Sequence, residues 1–266
     1  MSSNPHADRD AMVDRMVESA RRVDGVPVRR GFVQFGAQDN PTPGPAHAML
    51  RAHDENAFDL FLLHRAQASM EPWDVVRHGR LWATSLGLPT PKDDGATAVS
   101  RTWARLEKKY QLVTKERAGR LLRVTSLDES GSGKPYKYPR GGTGRGRYFK
   151  VPEAYWRDEE RWYRTLTLRA KVMLMISLSL KPDFALPIDQ VPKWYGVSSN
   201  SAQRGLNELR ERGVLTYREK RRDSWDGPDG YVLENRYTLT GPFELVIPVK
   251  ADVIDLATRT TDKDAG

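Results

Sequence analysis

The chain has 266 residues, which is long enough for two domains of ordinary size. It contains no cysteine, so disulfides and cysteine-based catalytic or metal sites are excluded. A formal net charge of +8, with 43 Lys and Arg against 35 Asp and Glu, is compatible with an acidic partner such as nucleic acid. The polar first residues have no signal-peptide pattern, and the longest apolar run, 172–176, is far shorter than the roughly 18 residues that span a membrane. We therefore expect an intracellular, cytoplasmic protein with no membrane partner.

Residues 1–50 contain one amphipathic segment. Its apolar residues recur at helical spacing, and they are Met12, Val13, Met16, Val17 and Ala20. This helix either packs on its own domain or forms a homodimer contact, and the sequence leaves both alternatives open. The three prolines between residues 41 and 45 are typical of a linker. We thus predict an N-terminal helix and a flexible linker over 1–50, with a homodimer through this helix as one partner.

Two similar passages follow. Each begins with a largely buried helix, at 57–69 and at 168–180. A shorter helix then ends near Gly87 or Gly196, a residue suited to a tight turn, and a longer helix follows at 97–110 or 199–212. Differences in length fall in loops, as expected of a duplicated unit. The predicted domains are 51–152 and 153–248, and a polar C-terminal tail covers 249–266.

The two longer helices each carry an apolar stripe that is expected to face a core. The stripes are Val99, Trp103, Leu106 and Tyr110 in the first helix and Ala202, Leu206 and Leu209 in the second. The opposite sides are polar, and Arg, Asn and Gln there can hydrogen-bond base edges in a DNA major groove. The candidate DNA contacts on these helices are Thr97, Ser100, Arg101, Arg105, Lys108, Ser199, Asn200, Gln203, Arg204 and Asn207. The alternative for each helix is an outer face that is merely solvated.

Each longer helix leads into a predicted β-hairpin, which makes the order of elements that of a winged helix-turn-helix. The first hairpin is predicted to pair 121–127 with 147–151 around a long, glycine-rich basic loop. Such a loop can follow a phosphate backbone, or it is a disordered insertion without a role. The second hairpin is predicted to pair 217–222 with a return strand that starts near Glu234. The candidate phosphate contacts on the two hairpins are Lys134, Lys137, Arg140, Arg145, Arg147, Arg221 and Arg222.

Enzyme motifs fail on inspection. The histidines all precede residue 79 and lack the spacing of a metal site. The segment GSGKP resembles part of a phosphate-binding loop, but Pro135 stands where Ser or Thr is required. The aromatic residues Tyr155, Trp156, Trp162 and Tyr163 are expected to pack the domains together, with stacking on single-stranded bases as the alternative. We therefore predict a non-enzymatic protein with no cofactor.

Three phrases carry a family resemblance: GVSSNSAQRGLNELRERGVLTYREKR, RYFKVPEAYW and ENRYTLTGPF. Through them, residues from about 55 to 245 resemble tandem winged-helix proteins, a group that includes transcriptional regulators and plasmid replication initiators. The resemblance implies a mainly α protein with small β-hairpins (α+β), built from two winged helix-turn-helix domains in tandem. It also implies a sequence-specific double-stranded DNA-binding protein, nucleoid-associated, whose leading role is transcriptional regulation. The alternatives are a plasmid or phage replication initiator or control protein, and a winged-helix protein–protein interaction module.

Overall fold

The computed structural model describes residues 6–22, 24–36, 40–89, 93–140, 147–223 and 231–245. Over these residues the chain is a mixed α+β protein of ten helices and small antiparallel sheets, which confirms the α+β class. The helices are α1 (Ala7–Ser19), α2 (Pro45–Arg51), α3 (Glu55–Gln67), α4 (Gly79–Ser85), α5 (Ala96–Lys108), α6 (Ala154–Arg157), α7 (Trp162–Thr165), α8 (Leu168–Leu178), α9 (Val191–Tyr195) and α10 (Ser199–Glu211). The strands are β1 (Val26–Arg29), β2 (Gln34–Gly36), β3 (Pro41–Pro43), β4 (Asp74–Arg77), β5 (Val113–Ala118), β6 (Leu121–Ser126), β7 (Tyr148–Val151), β8 (Phe184–Ala185), β9 (Leu215–Asp223) and β10 (Tyr231–Leu239).

Two stretches of the chain repeat one order of elements. The first unit, residues 55–126, consists of α3, β4, α4, α5, β5 and β6, and the second unit, residues 168–239, consists of α8, β8, α9, α10, β9 and β10. The sheets match as well, because both are antiparallel and their strand orders are β4-β6-β5 and β8-β10-β9. Each unit is therefore three helices with a three-stranded sheet whose last strand lies in the middle. We call α5 and α10 the third helices of their units.

The apolar stripe predicted for α5 is confirmed. Val99, Trp103 and Leu106 are all buried. The ring of Trp103 meets the ring of Trp82 on α4 edge-on, with 5.3 Å between centroids, and lies 5.7 Å from the ring of His64 on α3. The inner face of α5 thus packs on both preceding helices of its unit.

The apolar stripe predicted for α10 is confirmed too, because Ala202, Leu206 and Leu209 are fully buried. Next to them, Gly205 lies so close to α8 that a Cβ atom there would fall 2.7 Å from Cγ of Met173 and 2.9 Å from a backbone oxygen. The close packing of α10 on α8 therefore requires glycine at this position.

The strand pairing predicted for the first hairpin is wrong. Strand β6 pairs with β5 through a two-residue turn at Gly119 and Arg120, whereas β7 pairs with β1 near the start of the chain. Gly119 has a φ of 64°, a conformation that such turns favour. A two-residue turn also costs less loop-closure entropy than the long loop of the predicted hairpin. The first hairpin is therefore β5–β6, and the basic segment after residue 127 lies outside it.

The flexible linker expected within residues 1–50 is contradicted where the structure describes this region. Residues 26–29 form β1, and β2 pairs with β3. Phe32 and Met49 are fully buried in the core. Pro45 occupies the first turn of α2, where a missing N–H costs nothing. The prolines here begin or edge regular elements and do not mark a linker.

Helix α1 forms as predicted, but its apolar face is not free for a partner. Val13, Met16 and Val17 are buried within the chain. On its acidic side, Asp10 accepts hydrogen bonds from Oη of Tyr163 at 2.6 Å and from Nε of Arg164 at 2.9 Å. Of the five predicted apolar residues three are buried within the chain and Met12 and Ala20 are half-buried, which supports the alternative that this helix packs on its own chain.

The aromatic residues between the two units are core residues. All four of them are buried: Tyr155, Trp156, Trp162 and Tyr163. Their burial makes them unavailable for stacking on bases, whereas the packing of one domain against the other by these rings stays a prediction.

The first helices of the two units meet at a buried ion pair. Nζ of Lys171 on α8 donates to both carboxylate oxygens of Asp59 on α3 at 2.8 Å, and to Oε1 of Glu55 at 2.7 Å. The Lys171 side chain is fully buried, while that of Glu55 is 48% exposed. Because an unpaired charge at this depth is strongly disfavoured, the pair holds α3 and α8 together in one arrangement.

We expect Lys171→Met to lower the free energy of unfolding by about 3–5 kcal/mol, because it leaves the carboxylate of Asp59 buried without a partner. The double variant Lys171→Met/Asp59→Leu removes both charges and should recover most of that loss. Urea unfolding of the two variants and the wild type measures the difference. Equal stability of Lys171→Met and the wild type would contradict the role given to this pair.

A second stability prediction concerns His64. Its Nε2 donates to the carbonyl of Val124 at 3.0 Å, and burial lowers the pKa of the imidazole to about 3. The unfolded chain takes up this proton near its ordinary pKa of about 6.5, so His64 makes the folded state less stable as the pH falls from about 6.5 towards 3. Between pH 7 and pH 5 the expected loss is about 2 kcal/mol.

The measurement is urea unfolding at several pH values for His64→Gln and for His78→Gln, which changes an exposed histidine. The pH dependence in this window should become shallower in His64→Gln and stay as in the wild type in His78→Gln. Parallel curves for all three proteins would show that His64 does not titrate on unfolding.

Candidate nucleic-acid interface

The outer face of α10 is exposed and rich in hydrogen-bonding groups. Asn200, Gln203 and Arg204 are exposed, and Nε2 of Gln203 donates to Oδ1 of Asn207 at 2.9 Å. Among the described residues, the guanidinium of Arg204 has no ion-pair partner. Ser199 differs from these predicted contacts, because it is half-buried and its hydroxyl donates to the carbonyl of Ile188 at 3.2 Å. Three of the five predicted residues are thus exposed on one outward surface, and Asn207 is half-buried beside Gln203.

A well-formed start fixes α10. The hydroxyl of Ser198 accepts a hydrogen bond from the N–H of Ser201 at 3.2 Å, which caps the helix. Before it, Gly196 has a φ of 70° and turns the chain between α9 and α10, as its predicted role requires. The residues near the helix start are therefore held on a rigid support.

The outer face of α5 is exposed in the same way. Four of its predicted contacts are exposed: Thr97, Ser100, Arg101 and Lys108. Neither Arg101 nor Lys108 forms an ion pair within the part of the chain that the structure describes. Both cations are therefore available to an anionic partner.

Arg105, predicted as a DNA contact, is instead committed to the fold. Its Nε and Nη2 donate to the two carboxylate oxygens of Asp54 at 2.6 and 2.8 Å. Asp54 is the N-cap of α3, where it also accepts from the N–H of Ala57. Burial alone would raise the pKa of Asp54, but the hydrogen bonds and charge of Arg105 outweigh it and hold that pKa below its usual value. Arg105 therefore anchors the third helix to the first helix of its unit.

The second unit has an anchor at the corresponding position. Glu208, like Arg105, is the tenth residue of its helix. Its carboxylate accepts from the backbone N–H of Thr167 at 2.8 Å and from the Thr167 hydroxyl at 2.5 Å, and Thr167 is the N-cap of α8. Both third helices are thus tied to the cap of the first helix, with the charge of the anchor reversed.

The second hairpin, β9–β10, is long and basic. Its two strands pair from Leu215 with Leu239 to Asp223 with Tyr231. Lys220, Arg221 and Arg222 are exposed, and the guanidinium of Arg221 lies 3.4 Å from the centroid of the Tyr231 ring. Arg222 forms no ion pair with any described residue, so the predicted phosphate contacts Arg221 and Arg222 both lie on the surface of this hairpin.

The first hairpin carries two exposed cations that the sequence analysis missed. Arg117 and Arg120 lie at and beside the turn between β5 and β6. They were missed because β6 had been assigned a distant partner. The signal was present in Gly119, which stands between two strand-compatible stretches of equal length.

Within the basic segment that was predicted as a loop of the first hairpin, the described residues 134–140 are packed against the protein through Tyr136. Tyr136 is buried, and the guanidinium of Arg65 lies 3.8 Å from its ring centroid. Lys137 and Arg140 are exposed, whereas Lys134 and Arg147 line a cleft beside the second unit. Arg145 lies outside the described residues. The predicted cations of this segment are therefore not on one hairpin.

Two negative findings hold for the residues that the structure covers. None of their helices combines the length and apolar character needed to cross a membrane. Their His, Asp and Glu side chains form no group that could hold a metal ion.

Comparison of the chain with protein-family models, curated proteins and solved structures finds no significant match.

The two roles assigned to α5 can be separated by a matched pair of variants. Arg105→Ala should lower the free energy of unfolding by about 1–3 kcal/mol, because it removes two charge-assisted hydrogen bonds from a mostly buried carboxylate. Arg101→Ala, on the same helix, should change it by less than about 0.5 kcal/mol. Urea unfolding measures both. Equal effects of the two variants would mean that Arg105 does not anchor the helix.

Proposed function

We propose that the protein is a sequence-specific double-stranded DNA-binding protein made of two tandem winged helix-turn-helix units, and that it acts as a transcriptional regulator. The observation that carries the proposal is the repeated division of the third helices. In both units the inner face of this helix is buried, while the outer face bears exposed polar or basic side chains, of which Arg101 and Arg204 form no ion pair with any described residue. A DNA major groove is about 12 Å wide and accepts one helix presented in this way.

The topology supports the same proposal. In a winged helix-turn-helix, the second and third helices follow a first helix, and a hairpin then projects beside the third helix. Both units have this order, and in both the hairpin is the pair of strands that follows the third helix. A helix lying in a groove would therefore have a basic hairpin next to it, with Arg120 in the first unit and Arg222 in the second.

Contacts to base edges and contacts to phosphates contribute differently to DNA binding. Asn200, Gln203 and Arg204 offer directional hydrogen bonds near the start of α10, which suits them to base edges. Cations on the hairpins are suited to phosphates, which position a protein without carrying sequence information. We assign α10 the larger part of sequence discrimination for this reason.

The test compares two arginines of the second unit on a duplex selected by the protein and on a scrambled duplex. Arg204→Ala should reduce the preference for the selected duplex by about 1–3 kcal/mol. Arg222→Ala should weaken both duplexes about equally and reduce the slope of log affinity against log salt by about 0.9. If Arg204→Ala weakens both duplexes by one factor, α10 is not the element that discriminates. If the wild type shows no salt-dependent binding to any duplex, the proposed function is wrong.

Mapping of bound fragments from the host genome addresses the biological role. Sites at promoters, including that of the protein's own gene, are expected for a transcriptional regulator. Repeated sites at a replication origin would instead identify a replication initiator or control protein.

A further inference from the structure

A deep cleft lies between the N-terminal segment of the protein and the second unit. Its volume is about 840 Å³, within the range of about 300–1,000 Å³ that is usual for small-molecule sites. One wall comes from residues 29–36, from residues 128–134 and from Arg147, and the other comes from residues 180–186 and from α9. We call it the basic cleft.

Cations dominate the lining of the basic cleft. Arg29, Arg30, Lys134 and Arg147 line it, against a single carboxylate, Asp128. Arg29 is shared between two carboxylates, because its Nη1 donates to Oε2 of Glu129 at 3.0 Å and lies 3.7 Å from Oδ2 of Asp128. Nη2 of Arg30 donates to Oε1 of Gln34 at 2.7 Å, and Arg30 forms no ion pair with any described residue.

Lys134 and Arg147 are the two cations of the cleft that are both exposed and without an ion-pair partner among the described residues. Both are exposed to solvent, and neither side chain forms an ion pair with any residue that the structure describes. The loop that holds Lys134 is itself fixed, since the N–H of Asp128 donates to the carbonyl of Lys134 at 2.8 Å. The backbone carbonyl of Arg147 in turn accepts from the N–H of Arg30 at 2.9 Å. Two unpaired charges are therefore presented on ordered backbone.

The same cleft has an aromatic and apolar part. Phe35, Trp194 and Tyr195 line it together with Leu186. Phe35 is 37% exposed, so its ring is accessible to a ligand in the cleft. The position of α9 against this wall is fixed, because Nε2 of Gln34 donates to the carbonyl of Trp194 at 3.0 Å. Rings beside cations favour a ligand that combines a planar ring with negative charge.

We propose that the basic cleft binds a phosphorylated planar ring, which is the chemistry of a nucleotide. Lys134 and Arg147 bind the phosphate, and the aromatic wall with Phe35 receives the ring. The ligand is either a free nucleotide or one nucleotide of a single strand of DNA, and the chemistry of the site is the same for both. The site does not depend on duplex binding by the third helices.

The experiment is titration calorimetry of the full chain without duplex DNA. The probes are the ribonucleoside 5′-diphosphates, the matching nucleosides, inorganic phosphate, and a short single-stranded oligonucleotide. A nucleoside diphosphate or the oligonucleotide should bind saturably, and nucleoside or phosphate alone should bind at least about tenfold more weakly because each lacks one half of the contacts. Binding of the free diphosphate identifies a small-molecule site, and binding of the oligonucleotide alone identifies a DNA strand as the source.

Three variants of cleft residues and one control variant assign the binding to the cleft. Lys134→Ala and Arg147→Ala should each weaken the bound probe by about tenfold, because each removes a charge-assisted contact to phosphate. Arg15→Ala, which removes an exposed cation on α1, a helix that contributes no residue to the lining of the cleft, should leave the affinity unchanged. Phe35→Leu should weaken the nucleotide but not the residual binding of inorganic phosphate.

Thermal melting with and without the probe gives a second measurement that shows each variant is folded, since a ligand that binds only the folded state raises Tm. The proposal is overturned if no probe binds saturably, if phosphate alone binds as tightly as the nucleotide, or if folded Lys134→Ala and Arg147→Ala bind like the wild type. None of these outcomes bears on duplex binding, so failure here and failure of the proposed function are separate results.

Discussion

One buried ammonium group joins the first helices of the two units of this protein. Lys171 is fully buried, so its charge is tolerable only while Asp59 and Glu55 face it from the other unit. Burial raises the pKa of Asp59, and the charge of Lys171 opposes that rise, which shows how closely the two groups depend on each other. An apolar contact between α3 and α8 could slide, but an ion pair in the interior has one favourable geometry.

Within each unit, the constraint is that the third helix must be held firmly by its inner side alone. The apolar stripe supplies most of the contact, and one polar anchor at the tenth residue of the helix fixes its position along the first helix. The anchor is Arg105 on an aspartate cap in the first unit and Glu208 on a threonine cap in the second. The position of the anchor is repeated although its charge is reversed. The two anchors therefore cannot be recognised as equivalent from their residue types. The effect of the anchor is the same in both units: the third helix is held from its inner side, and its outer face stays exposed.

These features separate what the sequence could predict from what it could not. Periodicity located both third helices and their buried stripes, because Trp103 and Leu206 stand at spacings that only a helix brings to one face. The pairing of β7 with β1 could not be found this way, because the partners Val26 and Val151 lie far apart in the sequence. Strand β8 has only two residues, too short to give an alternating pattern. Arg105 was misassigned because its partner, Asp54, lies on another element and periodicity describes one element at a time.

The net charge of a segment was the least reliable guide to where its cations lie in the fold. Residues 97–150 hold fourteen Lys and Arg against four Asp and Glu, and that excess is the same whichever way the segment folds. The fold then divides the cations by their surroundings. Arg105 is held by a cap, Arg101 and Arg120 lie on the outer surface, and Lys134 lies in the cleft. A cation contributes to binding an anion only if no carboxylate of the protein already holds it. The count of unpaired cations at each surface, and not the net charge of the segment, therefore decides where an acidic partner can bind.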